Sequence, residues 1–391
     1  MAFDIERARR DTPGVEHVIH LNNAGSSLPP RQVLDAQIEH LRLEAQIGGY
    51  EAADAATDRV ERVYGAAAEM IGAKPDEIAI IENATRAWDM AFYSVPFKAG
   101  DRILTAVAEY GSNFIPYLQV AEKHGAIVEV VPNDEHGQLS VEALKDMMDD
   151  RVKLISITHV PTNGGLVNPA EAIGKVAKEA GVLYLIDACQ SVAQLPIHVD
   201  ALNCDMLSTT GRKYIRGPRG TGFLYVRRGV LEQLEPPLID HHAASWVSRD
   251  RYELRNDAKR FENWETNYSA KIGLGVALDY ALDWTIDVTW ARIQDLADNL
   301  RARLDAIPRV TVQDLGVVRC GIVTFTVDGA NLQDIKSKLA KHRINVSISN
   351  APSTRLDMDA RGIDALVRSS VHYYNSEEEL DRFVDTLESI I

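Results

Sequence analysis

Short apolar runs rich in isoleucine and valine alternate with longer mixed stretches through the middle of the chain. The runs are typical of buried strands, and the stretches between them have the length and spacing of helices. Because such an alternation joins parallel strands by helical crossovers, it predicts a largely parallel sheet with helices on both faces. The predicted strands are 78–81, 102–107, 127–131, 153–158 and 182–186, and the predicted helices are 85–94, 114–123, 141–147 and 170–180.

The pattern changes near Arg260. A long helical stretch, 271–307, is followed by a strand pattern around 321–327 and by two further helical patterns. This arrangement is typical of an α+β unit. We therefore predict an α/β protein with two domains. The large domain, 16–259, holds the mostly parallel sheet, and the smaller α+β domain spans 260–391.

Two charged residues follow apolar runs and indicate the chemistry. Asp187 ends the run 182–186, and Lys213 follows the run 204–207 in a loop of hydroxyl, glycine and arginine residues. In open α/β sheets, ligands bind at the carboxyl ends of the strands. Pyridoxal 5′-phosphate (PLP) requires a carboxylate that keeps its pyridine nitrogen protonated and a lysine that holds its aldehyde as a Schiff base. Either residue alone is better explained as a helix cap or a solvated charge. Together they predict a PLP site with Lys213 and Asp187 as catalytic residues.

The segment 83–86, which reads Asn-Ala-Thr-Arg, lies between a predicted strand and a predicted helix. The start of a helix presents free N–H groups and a partial positive charge, which suit a phosphate. By itself the segment is better explained as an ordinary cap. Beside the Lys213 and Asp187 pair, it predicts a phosphate site with the amides of Thr85 and Arg86 as donors.

Composition limits the class of protein. The 391 residues include 46% hydrophobic and 25% charged residues, and the formal net charge is −15. Such a chain suits neither nucleic acid nor an anionic membrane, no apolar stretch is long enough to cross a bilayer, and the N-terminus lacks a signal-peptide pattern. Cys189, Cys204 and Cys320 lie in apolar runs without metal-ligand spacing. We therefore expect reduced core cysteines, no metal site and a cytoplasmic protein.

The segments around Lys213 and Asp187 resemble those of the aminotransferase class V enzymes, the fold-type I PLP group that includes the cysteine desulfurases. The resemblance extends from 21–25 to 371–375. It implies the fold-type I architecture, with residues 1–15 packed against the small domain. The stretches that most resemble the hercynylcysteine sulfoxide lyase branch are 44–53, 109–113 and 212–220.

The resemblance implies roles for residues around the cofactor. Tyr110 matches an aromatic or histidine ring that stacks on the cofactor, and Gln190 matches a side chain that hydrogen-bonds its phenolic oxygen. Thr210 and Arg212 match phosphate-binding positions, where Arg212 stands in place of a histidine. Thr162 matches a position that contacts the cofactor oxygen or the substrate carboxylate.

On the substrate side, the resemblance implies that Arg368 binds the α-carboxylate, which its planar fork suits. Asn23 belongs to the segment 21–25, which resembles a part of the family's substrate site. Asn163 is expected to contact the substrate beside Thr162. His159 in the same loop is better explained as a structural histidine than as a catalytic one.

The resemblance also implies a homodimer in which each chain completes the other's site. The segment 260–267 resembles one that carries a threonine to the partner's phosphate. At equal spacing that position is Glu265. Since a carboxylate beside a phosphate is unfavourable, we expect Thr266 or a backbone amide to replace this contact.

The reaction type depends on a missing cysteine. Desulfurases that relay sulfur through their own cysteine carry it in a loop before the substrate-binding arginine, and the matching loop, 349–362, has none. The sequence therefore favours a C–S β-lyase that acts on a small amino-acid substrate, a cysteine conjugate or sulfoxide. The alternative is a class V aminotransferase, and a racemase or epimerase is less favoured. A non-catalytic PLP-fold binding protein is disfavoured because Lys213, Asp187 and Arg368 are all present.

Overall fold

The computed structural model describes residues 3–391, so residues 1 and 2 of the expected N-terminal packing segment lie outside the described residues. The N-terminal part contributes one short strand and four helices. Ala8 and Leu21 are buried in the core of the small domain, so this segment packs against that domain. The elements are α1 (Ile5–Arg10), β1 (Ile19–His20), α2 (Arg31–Ile47), α3 (Gly49–Ala55) and α4 (Thr57–Ile71).

A seven-stranded sheet forms the centre of the large domain. Its strands are β2 (Ile78–Ile81), β3 (Arg102–Ala106), β4 (Ile127–Val131), β5 (Val152–Thr158), β6 (Leu183–Asp187), β7 (Met206–Thr210) and β8 (Gly222–Val226). The helices between them are α5 (Ala84–Phe92), α6 (Gly111–His124), α7 (Val141–Asp146), α8 (Ala170–Ala180) and α9 (Val199–Leu202). The strand order is β2-β8-β7-β6-β5-β3-β4, and only β8 runs antiparallel to its neighbours. The predicted α/β fold with a mostly parallel sheet is therefore confirmed.

Successive side chains of the central strands enter two different cores. Along β6, Leu183 and Leu185 belong to one core, whereas Tyr184 and Ile186 belong to the other. Since side chains alternate along a strand, a run that is apolar at every position must be covered on both faces. The carboxyl ends of β2, β3, β5, β6 and β7 consequently lie on one edge that loops can line.

A hairpin and two long helices follow the sheet. They are β9 (Ala244–Ser248), β10 (Arg251–Leu254), α10 (Tyr268–Asp283) and α11 (Ile286–Asp305). The single helical stretch predicted over 271–307 is wrong, because the backbone at Thr285 takes a φ of 64° that a right-handed helix cannot contain. Leu274 and Leu278 of α10 are buried in a core of the large domain, so this helix, which follows the predicted boundary at 260, packs with the sheet.

The small domain is an antiparallel sheet with helices against it. Its elements are β11 (Val310–Val312), β12 (Ile322–Val327), α12 (Leu332–Lys341), β13 (Ile344–Asn345), β14 (Ser347–Asn350), α13 (Arg355–Ala360), β15 (Ala365–Ser370) and α14 (Glu377–Ile390). Four strands pair in the order β11-β12-β15-β14, and β1 pairs in parallel with β13. Between residues 3 and 391, no helix has the length and apolar character required to cross a membrane.

Candidate active site

A small cavity lies at the carboxyl edge of the large sheet. It is formed by the segments that follow β3, β5, β6 and β7, which the parallel arrangement brings to one edge. Five of the predicted site residues meet there: Tyr110, Thr162, Asp187, Gln190 and Lys213. The other residues that line the cavity are Thr158, Val160 and Cys189.

Lys213 stands in a tight loop after β7. The amide of Gly211 donates to the carbonyl of Thr221 at 2.8 Å, and the amide of Gly217 donates to the carbonyl of Gly211 at 2.7 Å. A Cβ atom at Gly211 would lie 2.2 Å from the Thr221 hydroxyl, so the loop closes only with glycine there. Burial lowers the pKa of the Lys213 ammonium, and the Arg212 cation lowers it further. The lysine therefore offers a neutral, nucleophilic amine more readily than an exposed lysine does.

Asp187 is the last residue of β6, and its carboxylate is held by neutral donors. Oδ1 accepts a hydrogen bond from the amide of Cys189 at 2.9 Å, and Oδ2 accepts one from Nδ2 of Asn113 at 2.9 Å. Neither donor carries a charge, so the negative charge of Asp187 faces the cavity without a directly bonded cation. Such a carboxylate suits a protonated ring nitrogen.

The predicted phosphate site is built at the start of α5. Asn83 caps the helix, and its side chain accepts the amide of Arg86 at 3.0 Å. The expectation that the Arg86 amide binds phosphate is therefore wrong, because that donor is already used by the cap. The amides that precede it, of Ala84 and Thr85, donate no hydrogen bond to residues 3–391 and remain suited to an anion.

Gly222 brings this helix start close to the end of β7. A Cβ atom at Gly222 would lie 2.4 Å from the carbonyl oxygen of Thr209 and 3.4 Å from the backbone carbon of Asn83. Gly222 pairs with Thr210, whose hydroxyl accepts a hydrogen bond from Nη1 of Arg212 at 3.3 Å. The helix start, a hydroxyl and a guanidinium thus belong to adjoining segments, which is a suitable donor set for a phosphate.

Gln190 and Tyr110 form further parts of the wall. Nε2 of Gln190 donates to the carbonyl of Ala24 at 3.1 Å, and its buried Oε1 has no partner among residues 3–391. Tyr110 immediately precedes α6 and lines the cavity. The neutral amine, the carboxylate without a bonded cation, the anion-binding helix start and the unpartnered amide oxygen together fit PLP.

Arg368 is a half-buried guanidinium without a carboxylate partner in the described chain. Its Nε donates to Oγ of Ser347 at 3.1 Å, and its Nη1 donates to the carbonyl of Thr162 at 3.3 Å and to the Thr162 hydroxyl. Burial lowers the pKa of Arg368. A half-buried cation held only by neutral groups suits an anionic ligand, as a substrate carboxylate would be. Thr162 therefore links the cavity to this cation.

The side-chain amides of two residues predicted to contact substrate, Asn23 and Asn163, form hydrogen bonds within the protein. Asn23 is fully buried, its Nδ2 donates to the carbonyls of His20 and Ser370 at 3.1 Å and 2.7 Å, and its Oδ1 accepts the hydroxyl of Tyr374. The prediction that Asn23 contacts substrate is therefore wrong. Its neighbour Asn22 keeps a buried Oδ1 without a partner among residues 3–391.

Asn163 is only half available to a ligand. Its Nδ2 donates to Oγ1 of Thr354 at 2.9 Å and contacts the sulfur of Met358 at 3.3 Å. Its buried Oδ1 has no partner among residues 3–391, so the contact of Asn163 with substrate stays a prediction. The contacts of Nδ2 join the loop after β5 to the segment 349–362. A Cβ atom at Gly111 would lie 2.4 Å from the carbonyl of Pro352, so the same segment also packs on the start of α6.

Sequence patterns missed three residues of the site. Glu109 and Asn113 form a buried network with Asp187, and Cys189 lines the cavity although it was expected in the core. Glu109 and Asn113 flank the start of α6, and a polar pair at this strand-to-helix junction could have indicated the network. Cys204 is buried as predicted. His159 is buried, and burial lowers its pKa to about 4, which leaves the ring neutral as its predicted structural role requires.

The residues expected to reach a partner lie near the start of α5. Glu265 and Thr266 line a surface cavity together with Glu82, which directly precedes the Asn83 cap. Glu265 is exposed and Thr266 is half-buried, and neither forms a side-chain hydrogen bond within residues 3–391.

Comparisons with known proteins agree with this geometry. The family model for "Aminotransferase class-V" matches residues 19–383. A "Probable cysteine desulfurase" from Pyrococcus abyssi is 31% identical over 393 residues, covering 99% of this chain and 97% of the relative. A "Cysteine desulfurase" from Salmonella agona is 30% identical over 404 residues, covering 100% of this chain and 99% of the relative. The apo structure of a cysteine desulfurase from Thermococcus onnurineus has a TM-score of 0.93 at 29% identity and covers 100% of this chain and 99% of that chain.

Proposed function

Because the chain belongs to the aminotransferase class-V family, we propose that it is a C–S β-lyase that releases sulfur directly from a cysteine conjugate or a cysteine sulfoxide. PLP is its cofactor, and an α-amino acid is its substrate class. The observation that carries the proposal is the segment 349–362, which packs on the start of α6 through Pro352 and on the loop after β5 through Thr354, and which contains no cysteine. A desulfurase that relays sulfur needs a thiol at this place.

The cavity thiol does not replace the missing one. Burial raises the pKa of Cys189 well above its ordinary value, and the neighbouring Asp187 charge raises it further. Since the thiolate is the nucleophile in sulfur transfer, a thiol held protonated is a poor acceptor of a sulfur atom. Sulfur therefore leaves with the substrate's own leaving group.

Different residues of the chain have separate roles in the proposed reaction. Bound PLP supplies an electron-accepting ring that acidifies the Cα–H bond of an attached amino acid. Arg368 binds the α-carboxylate, and Lys213, whose pKa burial lowers, takes the Cα proton on Nζ. Asp187 keeps the proton on the ring nitrogen. Tyr110 forms part of the cavity wall, and the segment 349–362 packs against the start of α6 beside it.

A product assay tests the reaction type. With S-substituted cysteines and cysteine sulfoxides as substrates, the purified protein should form pyruvate and ammonia without any added keto acid. The variant Lys213→Ala, which folds around the same sheet but lacks the base, should form neither. Amino-group transfer that requires a keto-acid acceptor, with no pyruvate from these substrates, would instead establish the aminotransferase.

A second variant tests direct release. Cys189→Ala removes the cavity thiol without introducing a larger side chain, so the proposal expects sulfur release at a rate close to that of the wild type. Cys204→Ala, at a buried position away from the cavity, is the matched control for packing losses. Loss of sulfur release in Cys189→Ala alone, with cofactor still bound, would reveal a sulfur relay and contradict the proposal.

We also propose a cytoplasmic homodimer in which the segment 260–267 of each chain reaches the phosphate site of the other. The position of Thr266 beside Glu82, one residue before the Asn83 cap, supports this arrangement. Three free cysteines support a reducing compartment.

A further inference from the structure

The carboxyl group of Glu109 is buried beneath the cavity and surrounded by neutral donors. Its Oε2 accepts the hydroxyl of Thr105 at 3.0 Å and the amide of Thr158 at 3.1 Å. Its Oε1 accepts the amide of Tyr110 at 2.8 Å, Nδ2 of Asn113 at 3.0 Å and the Thr158 hydroxyl. Five donors on one carboxyl group are far more than a packing role requires.

A single amide joins this carboxyl group to the catalytic aspartate. Nδ2 of Asn113 donates to Glu109 at 3.0 Å and to Oδ2 of Asp187 at 2.9 Å, so the two hydrogens of one NH₂ group serve two carboxyls. Glu109 lies two residues before the start of α6 and Asn113 lies in its first turn, whereas Asp187 comes from β6. The position of Oδ2 of Asp187 is therefore set through Asn113 by Glu109.

The network holds two acidic groups without a bonded cation. Burial and, less strongly, the Asp187 charge raise the pKa of Glu109 to about 7, against the lowering effect of the hydrogen-bond donors. Tyr117 faces Glu109 from α6, and burial raises the pKa of its phenol well above the ordinary value, so it stays neutral. Lys213 and Cys189 lie on the far side of Asp187. A positive charge placed against Asp187 would offset its repulsion and favour the ionised form of Glu109.

We propose that Glu109 is a positioning residue that fixes Asp187 through the Asn113 amide and releases its own proton when a cationic ring nitrogen binds against Asp187. In this step the O–H bond of Glu109 breaks, the electron pair stays on the carboxylate, and the proton passes to solvent. The added negative charge then raises the proton affinity of the ring nitrogen. The inference rests on PLP occupying the cavity and not on which substrate bond is cleaved.

Calorimetric titration of PLP into the cofactor-free protein measures this proton. Titrations in buffers of different ionisation enthalpy give the number of protons released per chain. At pH 7 the wild type should release about half a proton more than Glu109→Gln, because a group with a pKa of about 7 is half protonated there. In ¹⁵N NMR of ring-labelled PLP bound to Glu109→Gln, the ring nitrogen should lose its proton at lower pH than in the wild type.

Two further variants keep the test decisive. Thr105→Val removes one hydrogen-bond donor to Glu109 while keeping the shape of the Thr105 side chain. The carboxylate of Glu109 then loses a stabilising contact, so the pH at which proton release is half complete should rise. This variant keeps the test available if Glu109→Gln does not fold. Glu262→Gln alters another buried carboxyl, which binds the Tyr64 hydroxyl and the Ile80 amide, and should leave release unchanged.

The outcomes distinguish the role of Glu109 from the assignment of PLP as the cofactor. Equal proton release and an equal ring-nitrogen titration in the wild type, Glu109→Gln and Thr105→Val would overturn the role of Glu109. Failure of the wild type to bind PLP at Lys213 would overturn the cofactor assignment itself, and this inference with it.

Discussion

At the scale of single residues, the site is defined by two charges of opposite sign that have no charged partner bonded to them. Asp187 is held by Asn113 and by a backbone amide, and Arg368 is held by Ser347 and Thr162. Burying a charge that no other charge compensates costs on the order of several kcal/mol. A zwitterionic substrate and a cationic cofactor ring would supply both compensating charges.

Lys213 is the lysine expected to carry the cofactor. Purified protein should be yellow, and borohydride reduction followed by peptide mapping should place the label on the Lys213 peptide. Lys271 is a suitable internal comparison, because it is also buried and burial lowers its pKa too, but it donates to the Tyr64 hydroxyl at 2.6 Å, away from the cavity. Label on the Lys271 peptide would contradict the assignment.

Arg368 should contribute mainly to substrate binding. Arg368→Ala should lower kcat/KM by about 10²-fold or more, chiefly through KM, because a hydrogen-bonded buried charge pair contributes roughly 2–5 kcal/mol. Arg355→Ala is the matched control, since Arg355 is exposed and pairs only loosely with Asp359 at 3.6 Å. Steady-state kinetics on a substrate found by the product assay would measure both. A similar KM in the wild type and Arg368→Ala would exclude the carboxylate role.

Glu109 should make the stability of the cofactor-free protein depend on pH. Its pKa rises from the ordinary value of 4.5 to about 7 on folding, so between these values the folded state binds more protons than the unfolded state. The contribution is fully present below pH 4.5 and is lost as the pH rises through about 7. Urea unfolding from pH 5 to 8 should therefore show a smaller loss of stability in Glu109→Gln than in the wild type. Parallel profiles for the two proteins would refute this effect.

At the scale of elements, the start of α5 and the end of β7 depend on a close backbone approach. Gly222→Ala places a Cβ atom 2.4 Å from the Thr209 carbonyl, so the strand must shift and the phosphate site must open. We expect a loss of about 1–3 kcal/mol in stability and weaker PLP binding. Gly229→Ala is the control, because a Cβ atom there meets no atom within 4 Å.

Fluorescence titration of PLP into both glycine variants would test this geometry. Gly229→Ala should bind PLP as the wild type does. Equal affinity in Gly222→Ala would show that the helix start does not bind the phosphate.

At the scale of the whole molecule, exposed aromatic side chains are consistent with the proposed homodimer. The hairpin of β9 and β10 exposes Trp246 at 70% and Tyr252 at 53%, and these residues pair across the hairpin. An isolated two-stranded hairpin is only marginally stable in water, so its aromatic face requires a partner surface. Trp264, in the segment proposed to reach the partner's site, is 58% exposed as well.

Sedimentation equilibrium should therefore show a dimer at assay concentration. Trp246→Glu should shift the equilibrium toward monomer and lower activity in proportion, since each site would lose the residues of the other chain. Val317→Glu, at an exposed apolar position far in sequence from the β9–β10 hairpin, is a control for the effect of the added charge alone. A fully active monomer would refute the shared site.

The sequence by itself determined most of the strands and helices of the large sheet and the placement of Asp187 and Lys213 at one edge of it. Apolar β-branched runs specify buried strands wherever they lie, and the carboxyl ends of parallel strands lie on one edge, so Asp187 and Lys213 could be placed together. The cysteine-free segment 349–362 was identified from the resemblance to the family and from its place before Arg368 in the sequence. None of these inferences needed the partner of any particular side chain.

Only the tertiary structure decided how the polar side chains are used. Asn113 meets Asp187 across 74 positions, and Asn23 meets Ser370 across 347 positions, because strand order and domain packing bring distant segments together. Local patterns contain no information on such contacts. For this reason Glu109 was missed, Asn23 was assigned to substrate, and the donor of Arg86 was assigned to phosphate although the Asn83 cap already accepts it.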